Sequence, residues 1–215
     1  MKPVQISPDA LAERLAALGF STSDGILRDL AGYLSLLMKW NKAMNLVGTH
    51  TWEETLDTLA VDSFHLAAFI PQTNLPLSPV TLDLGAGAGL PGIPLRFLWR
   101  NGKYTLIEVR EKRALFMKTV LASCDAGETS VFHGRAEDYF ATSPMADCII
   151  SRAFMPWKDL LVFVNEVLAP DGRILFLALT PTPDDIPSGW RADQEAVYAV
   201  QGKKRYLWSL AKEKT

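Results

Sequence analysis

The chain has 215 residues, of which 48% are hydrophobic and 21% are charged, and its formal net charge is −2. This composition is typical of one globular domain with an extension, and it argues against a disordered chain and against nucleic-acid binding through bulk positive charge. No apolar run approaches the roughly 20 residues of a membrane span, and the first five residues lack a signal-peptide pattern, so we expect a cytoplasmic protein.

Three helices are predicted in the N-terminal third, over residues 7–19, 23–46 and 51–67. Ser7 followed by Pro8 is typical of a helix N-cap with proline in the first turn, and leucines recur after it at helical spacing. Thr51-x-x-Glu54 is a capping box that begins the third helix. Prolines between residues 71 and 79 then predict a linker.

From residue 80 onward strands and helices alternate, which predicts a doubly wound α/β sheet. Strands are predicted over residues 80–84, 104–107, 129–132, 147–151 and 173–177. Helices are predicted over residues 91–100, 110–124 and 157–168, with short turns at 135–140 and 170–172. Residues 197–200 and 205–211 are predicted to form a terminal antiparallel hairpin. We therefore expect a helical extension over residues 1–75, packed on an α/β domain over residues 76–215.

A glycine-rich loop follows the first predicted strand, which ends at Asp83. Alternating glycines let the backbone turn tightly and approach a ligand closely. The string Gly87-x-Gly89-x-x-Gly92 also matches the dinucleotide fingerprint, which is weak evidence alone. Because a carboxylate at Asp83 would repel a pyrophosphate but attract an ammonium group, we predict an S-adenosylmethionine site, with Glu108 after the second strand as acceptor for the ribose hydroxyls. The alternative is a glycine-rich turn between two solvated carboxylates.

Three segments carry a resemblance to a known family: residues 83–95 (DLGAGAGLPGIPL), residues 135–138 (RAED) and residues 151–153 (SRA). With these segments the chain resembles the glucose-inhibited division protein B family over nearly its whole length, including residues 40–46 and Asp62-Ser63. The resemblance implies a class I S-adenosylmethionine-dependent methyltransferase fold with an N-terminal helical extension. It also implies methylation of N7 of a guanine in bacterial 16S ribosomal RNA.

The resemblance also implies roles for individual residues. Gly85, Gly87, Gly89 and Leu90 would shape the methionine end of the cofactor pocket, Ala136 and Glu137 would lie beside the adenine, and Arg152 would face the reaction centre. The chain departs from the family pattern at Leu59, where a histidine is usual, and at residues 178–181, where Lys-Gly is usual. We expect both departures to alter RNA contacts and to leave the cofactor pocket intact.

Arg152 is the predicted catalytic residue. Its guanidinium can pair with a cofactor carboxylate or an RNA phosphate, or donate to guanine O6 beside N7. The alternative is a structural ion pair with Glu137 or Asp147. Trp40, Phe154 and Trp157 can stack on a base or belong to the core.

Basic residues cluster in three places: Arg96, Arg100 and Lys103; Arg110, Lys112, Arg113 and Lys118; and Lys203, Lys204 and Arg205. Each cluster is either a solvated face or a local patch for RNA phosphates. The expected partner is 16S ribosomal RNA or the small ribosomal subunit. A small-molecule methyltransferase and a non-catalytic cofactor-binding RNA module are the alternatives. Cys124 and Cys148 lack the number and spacing of a disulfide framework or a metal site, so we expect neither.

Overall fold

The computed structural model of the protein describes residues 6–214, so the first five residues considered above lie outside the described part. Its helices are α1 (Pro8–Ala17), α2 (Asp24–Met44), α3 (Trp52–Thr55), α4 (Val61–Phe69), α5 (Gly92–Leu98), α6 (Glu111–Leu121), α7 (Ala136–Phe140) and α8 (Trp157–Val164). Its strands are β1 (Val80–Leu84), β2 (Lys103–Glu108), β3 (Thr129–His133), β4 (Ala146–Ser151), β5 (Leu168–Ala178), β6 (Trp190–Val200) and β7 (Lys203–Lys212).

The strands form one seven-stranded sheet in the order β3-β2-β1-β4-β5-β7-β6. Strands β1 to β5 pair in parallel, whereas β7 is antiparallel to both of its neighbours, β5 and β6. The chain leaves β1 towards β2 and β3 and then returns to β4 on the other side of β1. This reversal opens a crevice at the carboxyl ends of β1 and β4, where such sheets bind ligands. The predicted doubly wound sheet with a terminal antiparallel hairpin is confirmed.

The connection from α8 to β5 differs from the prediction. α8 ends at Val164 rather than at residue 168, and β5 begins at Leu168, before the predicted turn at 170–172. Ala146 of β4 pairs with Leu168 but Cys148 pairs with Arg173, so residues 169–172 form a bulge inside the strand. Nη1 of Arg173 donates to the carbonyl oxygens of Asp171 at 2.5 Å and Gly172 at 3.2 Å. This buried guanidinium therefore supplies hydrogen-bond donors to two carbonyl groups of the bulge.

The third predicted helix is interrupted by a wide turn. Its start is as predicted, because Thr51 Oγ1 accepts from the Glu54 amide at 3.1 Å and Glu54 accepts from the His50 amide at 2.9 Å. Between α3 and α4, however, residues Leu56–Ala60 form a π-helical turn, closed by the Val61 amide donating to the carbonyl of Leu56. The prediction of a single α-helix over residues 51–67 was therefore wrong. The 3.6-residue period does not distinguish one π-turn from the α-turns around it.

The N-terminal helices share one hydrophobic core with a face of the sheet. Leu34 and Leu37 of α2 are fully buried in the same cluster as Tyr104 of β2 and Phe116 of α6. Trp40 packs against Phe116 with ring centroids 5.6 Å apart, so it anchors α2 to α6. The second cluster lies under α8 and includes Trp208 of β7.

Arg96 is not part of a surface patch. Its residue exposure is 0%, and its guanidinium donates to six oxygens, those of Trp99, Arg100, Asn101, Gly102, Ala126 and Thr129. It also lies over the rings of Trp99 and Tyr104, at 5.6 and 5.4 Å from their centroids. The predicted cluster at Arg96, Arg100 and Lys103 therefore loses its first member. Arg96 closes the turn from α5 to β2 because backbone carbonyls there lack other donors.

Replacing Arg96 with methionine should destabilise the fold strongly, because a side chain of similar length leaves several buried carbonyls without donors. We expect a loss of about 3 kcal/mol or more in the free energy of unfolding, measured by urea denaturation. Arg100→Ala is the matched control, since its side chain is 41% exposed and its ion pairs should contribute about 1 kcal/mol or less. Equal losses in the two variants would contradict the structural role of Arg96.

Candidate active site

The loop after β1 turns through left-handed backbone conformations at three alternating positions. The φ angles are +67° at Gly85, +61° at Gly87 and +77° at Gly89, a region that favours glycine. An added Cβ would lie 2.7 Å from the Phe154 ring at Gly85 and 2.4 Å from Ile93 at Gly89. Both the backbone conformation and the surrounding space therefore require glycine at these two positions.

Two buried hydroxyl groups from the N-terminal helices hold this loop. Tyr33 of α2 donates to the carbonyl of Ala88 at 2.9 Å, and Ser63 of α4 donates to the carbonyl of Pro91 at 2.8 Å. Burial raises the pKa of Tyr33 well above its ordinary value, which keeps the hydroxyl protonated as a donor. Helices α2 and α4 thus support the loop directly.

A cavity of about 340 Å³ opens at the carboxyl ends of β1 and β2. It is lined by Gly85, Ile107, Glu108, Val109, Gly134, Arg135, Ala136, Glu137, Phe154, Met155 and Phe163. Four predicted site residues, Gly85, Glu108, Ala136 and Glu137, are brought together here. Phe154 and Phe163, with ring centroids 5.9 Å apart, add an apolar wall. A mostly apolar cavity of this size that also carries two carboxylates, those of Glu108 and Glu137, suits a small organic ligand.

Glu108 has both oxygens engaged with the backbone. Oε2 accepts from the Gly87 amide at 2.9 Å, and Oε1 accepts from the Arg110 amide at 2.8 Å. Each carboxylate oxygen can accept a second hydrogen bond, so Glu108 retains capacity for donors in the cavity it lines. Its orientation is set by the same loop that forms the cavity wall.

Five predicted site residues, Asp83, Gly87, Gly89, Leu90 and Arg152, lie outside the lining of this cavity. Gly89 and Leu90 are buried within the loop, and Gly87 is half-buried. Asp83 is 2% exposed beneath the loop, where Oδ2 accepts from the Tyr104 hydroxyl at 3.0 Å. Burial raises the pKa of Asp83 to about 7, against the opposing effects of the Tyr104 hydrogen bond and the charge of Arg152.

Arg152 follows β4 at the same edge of the sheet, and its side chain is 26% exposed. Arg152 pairs with neither of the two acids predicted as structural partners. Asp147 accepts from the Val80 amide at 2.8 Å, and Glu137 lies 3.6 Å from Arg135. Instead, Nη1 of Arg152 lies 3.7 Å from Oδ2 of Asp62, an ion pair rather than a hydrogen bond. Local sequence gave no signal for this pairing, because the two residues are distant in the chain.

The two departures from the family pattern lie away from the cavity. Leu59 belongs to the π-turn and is partly buried against the N-terminal core. Leu179 is 78% exposed, and the carbonyl of Thr180 accepts from Trp208 Nε1 at 3.3 Å. Neither Leu59 nor any of residues 178–181 lines the cavity at the strand ends.

A second cavity of about 410 Å³ lies between the end of α2 and residues 45–53. Although it is larger, it does not reach the strand ends, so the smaller cavity is the better candidate for catalysis. Asn41 holds the turn beside it, donating to the Thr49 carbonyl and accepting from the Val47 amide, both at 2.9 Å.

Residues 6–214 contain no group of three or more His, Cys, Asp and Glu side chains arranged to hold a metal ion. None of the helices in that range combines the length and hydropathy needed to cross a bilayer. Cys148 is buried and Cys124 half-buried, and both are free thiols.

The sheet order, the glycine loop after β1 and the acid at the end of β2 define a class I S-adenosylmethionine-dependent methyltransferase fold. The family model described as rRNA small subunit methyltransferase G (GidB) matches residues 26–198. The chain therefore belongs to the rRNA small subunit methyltransferase G family and is a methyltransferase.

Named relatives match nearly the whole chain. It is 51% identical over 207 residues to "Ribosomal RNA small subunit methyltransferase G" of Nitratidesulfovibrio vulgaris (strain DP4), covering 96% of this chain and 95% of that protein. It is 47% identical over 197 residues to the protein of the same name from Lawsonia intracellularis, covering 91% of each.

Solved structures share the fold at low sequence identity. A putative O-methyltransferase from Klebsiella pneumoniae superposes with a TM-score of 0.62 at 14% identity, over 95% of this chain and 97% of that chain. The glycopeptide N-methyltransferase MtfA, complexed with sinefungin, superposes with a TM-score of 0.52 at 15% identity, over 70% of this chain and 94% of that chain.

The raised pKa of Asp83 predicts a pH-dependent stability. Below its ordinary value of 3.8 the carboxyl is neutral in both states, and between there and about 7 only the unfolded chain ionises. The free energy of unfolding should therefore fall as pH rises through this window, by up to about 4 kcal/mol from this group. Urea denaturation between pH 5 and pH 8 should show a flatter profile for Asp83→Asn than for the wild type.

Asp184→Asn, at an exposed carboxylate, is the control and should follow the wild-type profile. An Asp83→Asn profile parallel to that of the wild type would show that burial does not shift the Asp83 pKa.

Proposed function

We propose that the protein is a cytoplasmic enzyme that transfers a methyl group from S-adenosylmethionine to N7 of a guanine in 16S ribosomal RNA. The observation that carries this proposal is the cavity at the carboxyl ends of β1 and β2, found in a chain of this family. Gly85 of the glycine loop, the buried carboxylate of Glu108 and the rings of Phe154 and Phe163 all line this cavity. The small ribosomal subunit or its RNA is the proposed partner.

The residues present fit the proposed cofactor. Glu108, Ala136, Phe154 and Phe163 line the same cavity. In the proposal Glu108 would accept the ribose hydroxyls, and the other three would provide apolar surface for the adenine. Gly85 has no side chain, so its backbone lines the cavity directly and allows the close approach of a methionine moiety. When bound, S-adenosylmethionine supplies an electrophilic methyl group on a positively charged sulfur.

Methylation at guanine N7 requires positioning more than acid-base chemistry. N7 has a free lone pair in the major groove, so the new N–C bond forms as the S–C bond breaks and no proton has to leave first. Bound S-adenosylmethionine would supply the methyl group and keep the electron pair of the S–C bond, which would leave the positive charge on the guanine. The enzyme's main task is therefore to hold the two reactants in line at near-attack distance.

Arg152 is the proposed catalytic residue. It directly follows the carboxyl end of β4 and precedes the cavity residues Phe154 and Met155 by two and three positions in the chain. Its charge acts to lower the pKa of Asp83 beneath the loop. A guanidinium there can donate to guanine O6, to an RNA phosphate or to the cofactor carboxylate. All three uses require donors fixed in direction.

RNA contacts would come from local positive charge, because the chain as a whole is slightly acidic. Arg110, Lys112 and Lys118 are exposed on or next to α6, whereas Arg96 is excluded by its burial. We infer that the helices before residue 76 act as an extension of the methyltransferase domain, since Tyr33 and Ser63 support its cofactor loop.

Substitution at Gly85 should weaken cofactor binding by a steric effect. In Gly85→Ala the new methyl group would displace the Phe154 ring that lines the cavity, so we expect the Kd for S-adenosylmethionine to rise at least about tenfold, measured by calorimetry. Gly202→Ala is the control, because its φ of +74° carries similar backbone strain with nothing within 4 Å.

The Gly202→Ala variant should bind S-adenosylmethionine as the wild type does, and NAD should give no heat with either protein. Equal affinity of the Gly85→Ala and Gly202→Ala variants, or tight NAD binding by the wild type, would contradict the cofactor assignment.

Methyl transfer tests the function and the role of Arg152 together. Radiolabelled S-adenosylmethionine should label small subunits from cells lacking this modification, and nucleoside mass spectrometry should find 7-methylguanosine. Arg152→Ala should lower the rate about tenfold to a hundredfold, and Arg152→Lys should recover it in part, since a point charge lacks the planar fork of donors.

Arg191→Ala is the control, because Arg191 also pairs with an aspartate, at 3.0 Å from Asp193, but lies at the opposite edge of the sheet. Labelling of metabolites but not RNA would identify a small-molecule enzyme. Cofactor and RNA binding without turnover would identify a binding module.

A further inference from the structure

Asp62 is a buried carboxylate at the start of α4 that joins three distant parts of the chain. It is 2% exposed, and it is the second residue after the π-turn Leu56–Ala60. Its neighbour Ser63 donates to the carbonyl of Pro91 in the glycine loop. The same turn of helix therefore holds the loop through Ser63 and presents a buried charge through Asp62.

Both oxygens of Asp62 are held by fixed donors. Oδ1 accepts from the Tyr198 hydroxyl at 2.8 Å and from Nη1 of Arg205 at 2.6 Å, and Oδ2 accepts from the same nitrogen at 2.7 Å. Tyr198 is braced in turn by a stacked contact with His65, with ring centroids 4.0 Å apart. The carboxylate thus has one orientation.

Arg152 and Arg205 meet at this carboxylate. Arg152 Nη1 lies 3.7 Å from Oδ2, the oxygen that also accepts from Arg205. Arg205 lies on β7 next to Tyr206, which pairs with Ala178 at the carboxyl end of β5. Both guanidinium groups are therefore at the edge of the sheet that carries the cofactor cavity.

We propose that Asp62 is a positioning residue for methyl transfer, which fixes the guanidinium groups of Arg152 and Arg205 at the edge of the proposed active site. The inference rests on the proposed function, because it assigns Asp62 a role in that same reaction. Asp62 acts through the arginines, since its own oxygens are buried and occupied.

The charges at this cluster favour an anionic or electron-rich partner. One carboxylate between two guanidinium groups leaves a net positive charge, and each guanidinium has five donors, of which Asp62 engages few. The side chains of Arg152 and Arg205 are 26% and 20% exposed, so their remaining donors are accessible. Without Asp62, the two like charges would repel each other and lose their common anchor.

The chain offers a matched control at the opposite edge of the sheet. Asp193 has a side chain only 7% exposed, and it also holds two arginines, Arg173 at 2.8 Å and Arg191 at 3.0 Å. Asp193 lies beside the bulge of β5, at the end of the sheet opposite to the carboxyl ends of the parallel strands. Asp193→Asn therefore reproduces the loss of a buried, doubly paired carboxylate without touching the proposed site.

The test measures single-turnover methylation of small subunits, S-adenosylmethionine affinity and unfolding for each variant. For Asp62→Asn we expect a rate about tenfold to a hundredfold below that of the wild type, with cofactor affinity changed less than about threefold. Asp62→Glu should recover part of the rate. Asp193→Asn should be destabilised but should turn over at the wild-type rate.

A second variant and a spectroscopic readout cover the case in which Asp62→Asn does not fold. Tyr198→Phe removes one donor and leaves both ion pairs, so its rate should fall about threefold to tenfold. In arginine side-chain NMR spectra, the Nε–Hε signals of Arg152 and Arg205 should show slowed rotation of the guanidinium in the wild type and faster rotation in the variants.

A folded Asp62→Asn variant with the wild-type rate would overturn the inference, as would equal rate losses in Asp62→Asn and Asp193→Asn. If Asp62→Asn does not fold, a wild-type rate in Tyr198→Phe would overturn it. A wild-type protein that binds S-adenosylmethionine but does not methylate small subunits would overturn the proposed function and this inference together.

Discussion

The backbone of the loop between β1 and α5 imposes the constraint on which the rest of the site depends. The loop passes through left-handed conformations at alternating glycines, and its buried carbonyls need donors from elsewhere, since an unpaired one costs about 1–3 kcal/mol. Tyr33 and Ser63 supply those donors from helices that precede the sheet in the chain. Neither hydroxyl lines the cavity, so the cavity wall is supported from behind and its ligand-facing side stays free.

The sequence predicted most of the fold because the signals for it are local. Apolar runs ending in polar residues located β1, β2 and β4, and the capping box at Thr51 located the third helix. The two errors have different causes. The hydrophobic period of the third helix does not reveal a π-turn, whereas at β5 strand pairing overrides a local turn signal. The turn signal at residues 170–172 is real, but pairing of β5 with β4 and the hydrogen bonds of Arg173 convert it into a bulge.

The site was predictable where its residues follow strands and unpredictable where distant elements meet. Gly85 and Glu108 come directly after β1 and at the end of β2, so the topology alone brings them together. The aromatic wall of Phe154 and Phe163 and the pairing of Arg152 with Asp62 depend on side chains from separate elements. Sequence spacing also suggested an exposed Arg96, because charge indicates exposure only when no buried oxygens compete for the side chain.

The π-turn at Leu56–Ala60 sets the rotation of α4 relative to α3. Such a turn holds one residue more than an α-turn, and one residue corresponds to about 100° around a helix axis. With the extra residue, the chain begins a capped helix at Thr51 and still directs Asp62 and Ser63 into the interior. Inserting one residue into a helix thus rotates everything after the insertion, and different side chains then face the sheet although no other residue is substituted. The geometry of the candidate site therefore depends on the number of residues in this helical segment as much as on their identity.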